Sequence, residues 1–194
     1  GGTGDVIANP YILAWDYGLN PSEVFPINLP SSNPGTPSPC MNPEGGHWAK
    51  DAAGWWYACA DGRTYLKGGW FTIGGRDYQF GPSGYMMTGF LKRVNRDWVY
   101  ADSDGALVGG WVRDGAYGGP NWYYLDPATK VMATGWLSLG GSWYYLGSDG
   151  AMRTGWVRVG ASWYYLSYSG AMVTGRHTIN GRTYVFDANG AWVG

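Results

Sequence analysis

The chain has 194 residues, a formal net charge of −1 and only 14% charged residues. It shows no basic stripe of the kind that binds nucleic acid and no apolar run long enough to predict a membrane span. Its 34 glycines and 11 prolines exclude long helices, and its 18% aromatic residues exclude a disordered chain. We therefore expect an all-β protein with many turns.

Residues 1–46 differ in composition from the rest of the chain. Prolines are closely spaced there, as at Pro34, Pro37 and Pro39. Proline fixes φ and lacks an amide donor, so this stretch is predicted to be an extended linker or the tail of an upstream domain. Residues 47–194 are predicted to form a separate repeat array. We expect the whole to be a piece of a longer secreted protein.

Two cysteines, Cys40 and Cys59, flank the junction between these segments. A disulfide between them would tie the N-terminal segment to the array and would fit an oxidising compartment. Two unpaired thiols remain the alternative, because spacing alone does not fix the geometry that a disulfide needs.

A short aromatic phrase, Trp-Tyr-Tyr-Leu, occurs at residues 122–125, 143–146 and 163–166. It belongs to a longer unit with a period near twenty residues. The leading aromatic residues of five units are Trp70, Phe90, Trp111, Trp136 and Trp156, at spacings of 20, 21, 25 and 20. With a degenerate unit before them and another starting at residue 176, seven units are predicted, and such a period is typical of repeat proteins.

Each unit is predicted to be a β-hairpin. In the sixth, residues 156–159 form one strand, Gly160 and Ala161 the turn, and residues 162–166 the return strand. A single hairpin is marginally stable in water, so the units must stack to bury a shared core. The predicted fold is therefore a series of stacked hairpins.

The two faces of each hairpin differ in character, because side chains alternate along a strand. One face of the sixth unit is apolar and is predicted to form the core; it carries Val157, Val159, Tyr164 and Leu166. The other face carries Trp156, Arg158, Trp163 and Tyr165, and its counterpart in the last unit has no aromatic residue. The tryptophan pairs are thus predicted to bind a ligand. A quaternary ammonium group suits them, since cations are attracted to indole faces. The alternative is that they only pack repeat on repeat.

Units such as residues 143–156, WYYLGSDGAMRTGW, resemble choline-binding repeats. These repeats occur in surface proteins, autolysins and phage lysins of Gram-positive bacteria, and the resemblance covers about residues 47–194. It implies a β-solenoid of hairpins with choline sites between consecutive hairpins. Each site is expected to combine two Trp of one repeat with a Tyr of the next, often with a Met nearby. The implied natural ligand is phosphocholine on teichoic or lipoteichoic acid.

Carried over by position, the resemblance implies three complete choline sites. The first is Trp136, Trp143, Tyr165 and Met152; the second is Trp111, Trp122, Tyr145 and Met132; the third, in which Phe replaces a Trp, is Phe90, Trp98 and Tyr124.

Two further positions depart from the family pattern. Trp156 and Trp163 form a good pair, but Val185 stands where the Tyr is expected, and Trp70 faces Asp77 in place of a second Trp. Arg113 and Arg158 lie near predicted sites and could meet a phosphate, although solvated surface charge is the favoured interpretation of both.

No catalytic constellation is visible, so the chain is expected to be a non-enzymatic module with choline as its ligand and no cofactor or metal. The resemblance implies that it anchors a secreted protein to the bacterial cell surface. A glucan- or other carbohydrate-binding repeat, and a structural or adhesive stalk that binds a protein partner, remain alternatives. A host or surface protein partner and a homodimer also stay open.

Overall fold

The computed structural model describes residue 40, residues 43–113 and residues 121–194. The expectation for residues 1–46 therefore falls mostly outside the described residues. Residues 114–120, which lie within the long 25-residue spacing between Trp111 and Trp136, also fall outside them. The described part consists of strands and turns, and it contains no helix that could span a membrane.

In the described ranges, fourteen strands form seven antiparallel hairpins, each made of two consecutive strands. Hairpins 1 to 3 are β1 (His47–Lys50) with β2 (Trp55–Ala58), β3 (Gly69–Ile73) with β4 (Arg76–Phe80), and β5 (Gly89–Lys92) with β6 (Trp98–Ala101). Hairpins 4 and 5 are β7 (Gly110–Arg113) with β8 (Trp122–Leu125) and β9 (Gly135–Leu139) with β10 (Ser142–Leu146). Hairpins 6 and 7 are β11 (Gly155–Val159) with β12 (Ser162–Leu166) and β13 (Gly175–Ile179) with β14 (Arg182–Phe186). The prediction of seven hairpin repeats in an all-β fold is confirmed.

The strand register is also as predicted. In hairpin 6, Val157 lies opposite Tyr164 and Arg158 lies opposite Trp163. Gly160 opens the turn with a φ of 61°, which a two-residue hairpin turn of the primed type requires. The tryptophans and the apolar residues therefore occupy opposite faces of the hairpin.

Contacts divide the chain into two compact units. The first comprises hairpins 1 to 3 together with Pro127–Val131, and the second comprises hairpins 4 to 7.

The first unit has a core built on hairpins 1 and 2. Tyr57, Leu66, Phe80 and Cys59 are buried in it, and a disulfide joins Cys59 to Cys40, with the two Cα atoms 6.3 Å apart. This link ties the chain that precedes β1 to the first repeat.

The second unit buries one large side chain at the end of each return strand. Leu125, Leu146 and Leu166 are fully buried and Phe186 nearly so. Each faces a glycine at the start of its partner strand, as Leu166 faces Gly155. Burying each leucine stabilises the array by about 1.5–3 kcal/mol relative to leaving it exposed.

A backbone hydrogen bond joins consecutive hairpins at a recurring place. The residue two positions after the turn glycine donates its amide to the carbonyl of the preceding repeat's second tryptophan. These bonds are Met86 to Trp55 at 2.7 Å, Met152 to Trp122 at 2.7 Å, Met172 to Trp143 at 2.7 Å and Trp192 to Trp163 at 2.8 Å. At these four junctions, one in the first unit and three in the second, a hairpin is bound to the next by main-chain atoms.

The methionine side chain at this place packs over a glycine of the following repeat. At Gly170, a Cβ would collide with the Sδ of Met152, and at Gly190 it would collide with the Sδ of Met172. Both glycines also have φ near +84°, a conformation that other residues rarely adopt. Glycine is therefore required there both by the backbone and by the approach of the sulfur.

Candidate functional site

An open cavity of about 290 Å³ lies between hairpins 6 and 7, and four aromatic side chains line it: Trp156, Trp163, Tyr184 and Trp192. Trp156 and Trp163 meet edge to face, with ring centroids 6.5 Å apart and planes at 80°. Tyr184 and Trp192 lie 4.9 Å and 6.0 Å from Trp156. We call such a set of aromatic rings at a hairpin junction a cage.

The strand register and the stacking bond explain why these rings converge. Trp156 and Trp163 share one face of hairpin 6, and Tyr184 lies on β14 of hairpin 7. The amide of Trp192 donates to the carbonyl of Trp163, which holds Trp192 at the rim. Trp163 remains 41% exposed, so one indole face is open to a ligand.

The same arrangement recurs between hairpins 5 and 6. Trp136 and Trp143 meet edge to face at 6.4 Å with planes at 85°, and Tyr164 packs 4.8 Å from Trp136. Met172 donates its amide to Trp143 and so takes the place that Trp192 has at the next junction. Trp143 is 46% exposed.

A third cage in the second unit lies between hairpins 4 and 5. Trp111 packs 5.2 Å from Tyr144, and the exposed ring of Trp122 completes the tryptophan pair. The amide of Met152 donates to the carbonyl of Trp122.

The tyrosine from the following repeat is not the one expected from the sequence. At the two predicted sites with Trp136 and Trp111, the structure places Tyr164 and Tyr144 against the leading tryptophan, where Tyr165 and Tyr145 were expected. The second tyrosines pack on the tryptophans of their own hairpins, for example Tyr165 at 5.3 Å from Trp156 and Tyr145 at 5.1 Å from Trp136. The reason is that the face assigned to the core turns towards the tryptophans of the preceding hairpin.

The methionines have backbone and side-chain contacts at different places. Met152 was expected beside Trp136 and Trp143; its amide donates to the carbonyl of Trp122, while its sulfur packs against Gly170 in the turn that follows hairpin 6. Met132 was expected beside Trp111 and Trp122; its backbone pairs with Leu125, and its sulfur packs against Gly150 in the turn that follows hairpin 5. Both assignments stay predictions.

The contact made by the first tyrosine of the following repeat also completes the cage of Trp156 and Trp163. The sequence expectation left that pair without a tyrosine because Val185 stands at the second position. The structure supplies Tyr184 from the first position and adds Trp192.

Sequence reasoning missed a cage in the first unit. Trp48 packs 4.9 Å from Tyr78, Trp55 is exposed on the same hairpin, and the amide of Met86 donates to the carbonyl of Trp55. A signal was present, since Trp48 and Trp55 have the same seven-residue separation as Trp136 and Trp143.

Hairpin 2 has no second tryptophan, and a cation from the chain lies beside its first one. The guanidinium of Arg93 lies 5.8 Å from the ring of Trp70 and 4.0 Å from the carboxylate of Asp77. Asp77 also accepts a hydrogen bond of 2.7 Å from the hydroxyl of Thr72. At this position, where Asp77 departs from the family pattern, a cation of the chain itself already lies beside the indole.

The third predicted site stays a prediction. Phe90 and Trp98 lie on hairpin 3 in the first unit, where Phe90 packs 5.0 Å from Tyr100, while Tyr124 lies on β8 in the second unit.

Acidic side chains stabilise turns away from the cages. Hydrogen bonds from the amides of Arg63 and Thr64, and then from the Thr64 hydroxyl, hold the pKa of Asp61 below its ordinary value. Burial raises the pKa of Asp149, but hydrogen bonds from Ala151 and Arg153 outweigh it and lower that pKa overall. Within the described ranges, no three His, Cys, Asp or Glu side chains are grouped to hold a metal ion.

Comparison with known proteins fits this geometry. The sequence profile of the choline-binding repeat family matches residues 133–176, which contain the junction of hairpins 5 and 6. Residues 133–176 are choline-binding repeats. Each of the other hairpins shares at least one feature with this segment: the strand register, the backbone hydrogen bond to the neighbouring hairpin, or the pair of tryptophans.

Two solved structures from Streptococcus pneumoniae resemble the chain. CbpJ of strain TIGR4 is 36% identical with a TM-score of 0.63, over 75% of this chain and 47% of CbpJ. Choline binding protein F is 36% identical with a TM-score of 0.63, over 75% of this chain and 51% of that protein. Choline binding protein F has also been solved in complex with ipratropium.

A putative endo-beta-N-acetylglucosaminidase of S. pneumoniae serotype 4 is 31% identical over 100 residues, which are 50% of this chain and 14% of that protein. The chain therefore spans about half the length of the solved structures it matches and a small part of the glucosaminidase. Choline-binding repeats are themselves binding modules, whereas this relative is named for an enzyme activity.

Proposed function

We propose that this chain is a non-catalytic module that binds choline in aromatic cages between successive hairpins and so anchors a secreted protein to the bacterial cell surface. The observation that carries the proposal is the open cavity between hairpins 6 and 7, lined by aromatic rings alone. A trimethylammonium group needs no hydrogen-bond donor, and its positive charge is attracted to indole faces.

The repetition of the cage supports this function. Three junctions in the second unit and one in the first have a leading tryptophan, a second exposed tryptophan and a tyrosine from the following hairpin. The ipratropium complex of choline binding protein F adds chemical support, since ipratropium is also a quaternary ammonium compound.

Magnitudes indicate why several cages are needed. Each cation–π contact contributes roughly 0.5–2 kcal/mol, so three rings give on the order of 2–5 kcal/mol. That corresponds to about millimolar binding at one cage. Several cages that engage one choline-bearing polymer would bind far more tightly, because each event after the first is intramolecular. Phosphocholine on teichoic or lipoteichoic acid is such a polymer-borne ligand.

We assign the choline-contacting residues by junction. The proposed sets are Trp48, Trp55 and Tyr78 with Met86; Trp111, Trp122 and Tyr144 with Met152; Trp136, Trp143 and Tyr164 with Met172; and Trp156, Trp163 and Tyr184 with Trp192. Any catalytic activity of the whole protein is proposed to belong to a segment outside this chain, and residues 1–46 are proposed to link the array to that segment.

A titration with choline, followed by tryptophan fluorescence and by the indole N–H signals in an NMR spectrum, tests the proposal. We expect saturable shifts at millimolar choline for the indoles of Trp136, Trp143, Trp156 and Trp163. The protein should also bind a quaternary-amine resin and be released by free choline. Release by an oligosaccharide and not by choline would support the carbohydrate-binding alternative, and no indole shift with choline would refute the proposal.

A further inference from the structure

A basic side chain stands directly opposite the second tryptophan in four of the five hairpins that have one. The pairs are Lys50 with Trp55, Lys92 with Trp98, Arg113 with Trp122 and Arg158 with Trp163. In hairpins 2 and 7, which lack that tryptophan, the same position is Thr72 and Thr178. The basic residue thus accompanies the second tryptophan rather than the hairpin itself.

These cations lie on the same face as the cage, because directly opposed residues of an antiparallel pair point the same way. The Nζ of Lys50 lies 5.2 Å from the ring of Trp55, that of Lys92 lies 5.0 Å from Trp98, and the guanidinium of Arg113 lies 6.0 Å from Trp122. All four basic side chains are exposed at the surface. The first three thus lie beside the outer tryptophan, and Arg158 stands at the equivalent position opposite Trp163.

A cation beside a choline cage is unfavourable for choline alone. The ammonium of choline and the basic side chain have the same sign, and at Trp55 and Trp122 they compete for the same indole ring. Arg158 makes no ion pair with another described residue that would offset this repulsion. The arrangement becomes favourable if the ligand carries an anion next to its quaternary ammonium.

We propose that Lys50, Arg113 and Arg158 recognise the phosphate that is attached to choline, so that their cages select phosphocholine over free choline. The inference rests on the proposed choline-binding function and adds the anionic half of the ligand to it. An exposed ion pair contributes about 0.2–1 kcal/mol, so the preference is expected to be about 1.4- to 5-fold per cage at low salt.

The chain contains its own control. In hairpin 5, Ser138 stands opposite Trp143, so the cage of Trp136, Trp143 and Tyr164 has the same rings without the cation. This cage is expected to bind choline and phosphocholine with nearly equal affinity. The cages of hairpins 5 and 6 thus share the tryptophan pair and the tyrosine and differ at this position and at the rim, where Met172 stands in place of Trp192. Substitutions at residues 138 and 158 isolate the effect of the cation from that of the rim.

The experiment compares the two ligands at the two cages of the full chain. Choline and phosphocholine are titrated separately, and the indole N–H signals of Trp143 and Trp163 report each cage. We expect phosphocholine to bind more tightly than choline at Trp163 but not at Trp143. The preference at Trp163 should shrink in about 1 M NaCl, where the Debye length is roughly 3 Å.

Reciprocal substitutions separate phosphate recognition from simple stacking on the indole. Arg158→Ser should weaken phosphocholine binding at Trp163 about 1.4- to 5-fold and leave choline binding unchanged or slightly tighter. Ser138→Arg should create the phosphocholine preference at Trp143. If Arg158→Ser weakens both ligands equally, the arginine only holds the ring, and the inference is overturned.

The outcomes also separate this inference from the function on which it rests. Choline shifts at both cages without a phosphocholine preference at Trp163 would overturn phosphate recognition and leave the choline-binding function standing. The absence of choline shifts at both cages would overturn both.

Discussion

Replacement of Trp143 by alanine is expected to separate ligand binding from folding. Trp143 is 46% exposed and supplies one wall of the cage between hairpins 5 and 6, where it meets Trp136 edge to face at 6.4 Å. One cation–π contact contributes roughly 0.5–2 kcal/mol, so choline affinity at this cage should fall about 2- to 30-fold.

The cost to stability should be small by comparison. Trp143→Ala keeps the backbone carbonyl that accepts the hydrogen bond from Met172, and it removes a ring whose outer face already meets water. The lost edge-to-face pair reduces the free energy of unfolding by about 0.5–1.5 kcal/mol, in addition to the contribution of the part of the ring that is buried. Leu146→Ala, at a fully buried position in the same hairpin, should cost about 2–5 kcal/mol.

Two measurements check this prediction. Urea unfolding followed by circular dichroism gives the stability of Trp143→Ala and Leu146→Ala, and NMR titration with choline gives the affinity at each cage. The cage of Trp156 and Trp163 should be unaffected by Trp143→Ala and serves as the internal control. Equal destabilisation by the two substitutions, with choline affinity unchanged, would refute the view that the exposed tryptophan binds the ligand.

Three further predictions concern the scaffold. Gly170→Ala should destabilise the second unit by about 1–3 kcal/mol more than Gly160→Ala, as measured by urea unfolding. Both glycines have a positive φ, but only a Cβ at residue 170 would meet a methionine sulfur. Equal losses of stability would contradict a packing role for Gly170. The disulfide between Cys40 and Cys59 closes a loop with a sequence separation of 19, and its loss should lower the stability of the first unit by about 3 kcal/mol. Choline binding in the second unit should not change. Urea unfolding and choline titration, each with and without a reductant, check both expectations. Because the pKa of Asp61 is lowered in the folded state, its ionised carboxylate stabilises the fold fully above about pH 4, and this stabilisation is lost as the pH falls through the folded-state pKa. Asp61→Asn should therefore reduce the loss of the free energy of unfolding that is measured as the pH is lowered.

The strand pattern within a hairpin could be predicted well from the sequence. The phrase Trp-Tyr-Tyr-Leu, the turn residues and the period-two alternation together fix which residues oppose each other, and the observed pairing of Val157 with Tyr164 agrees. The burial of Leu125, Leu146 and Leu166 follows from the same alternation. These features are local, so a single unit contains the information that determines them.

Contacts between hairpins could not be predicted in the same way. Alternation assigns Tyr164 to a face but does not say which surface that face meets, and the resemblance pointed to the neighbouring Tyr165. The structure shows that Tyr164 meets Trp136 of the preceding repeat, because the backbone bond from Met172 to Trp143 sets the offset of the two hairpins. The first cage was missed for a simpler reason, since the phrase around Trp55 has diverged although the separation from Trp48 has not.

Every cage described above is shared: one repeat contributes the tryptophans and its successor contributes the tyrosine and the residue at the rim. If one repeat is duplicated in tandem, the tyrosine of the new copy would therefore lie against the tryptophans of the repeat from which it was copied. The duplication would generate a new cage without any further mutation. Arrays of this kind could lengthen by gene duplication, with each added copy supplying a cage at once. Divergence of a single copy, as in hairpin 2, would then remove the cage at one junction and leave the cages at the other junctions intact.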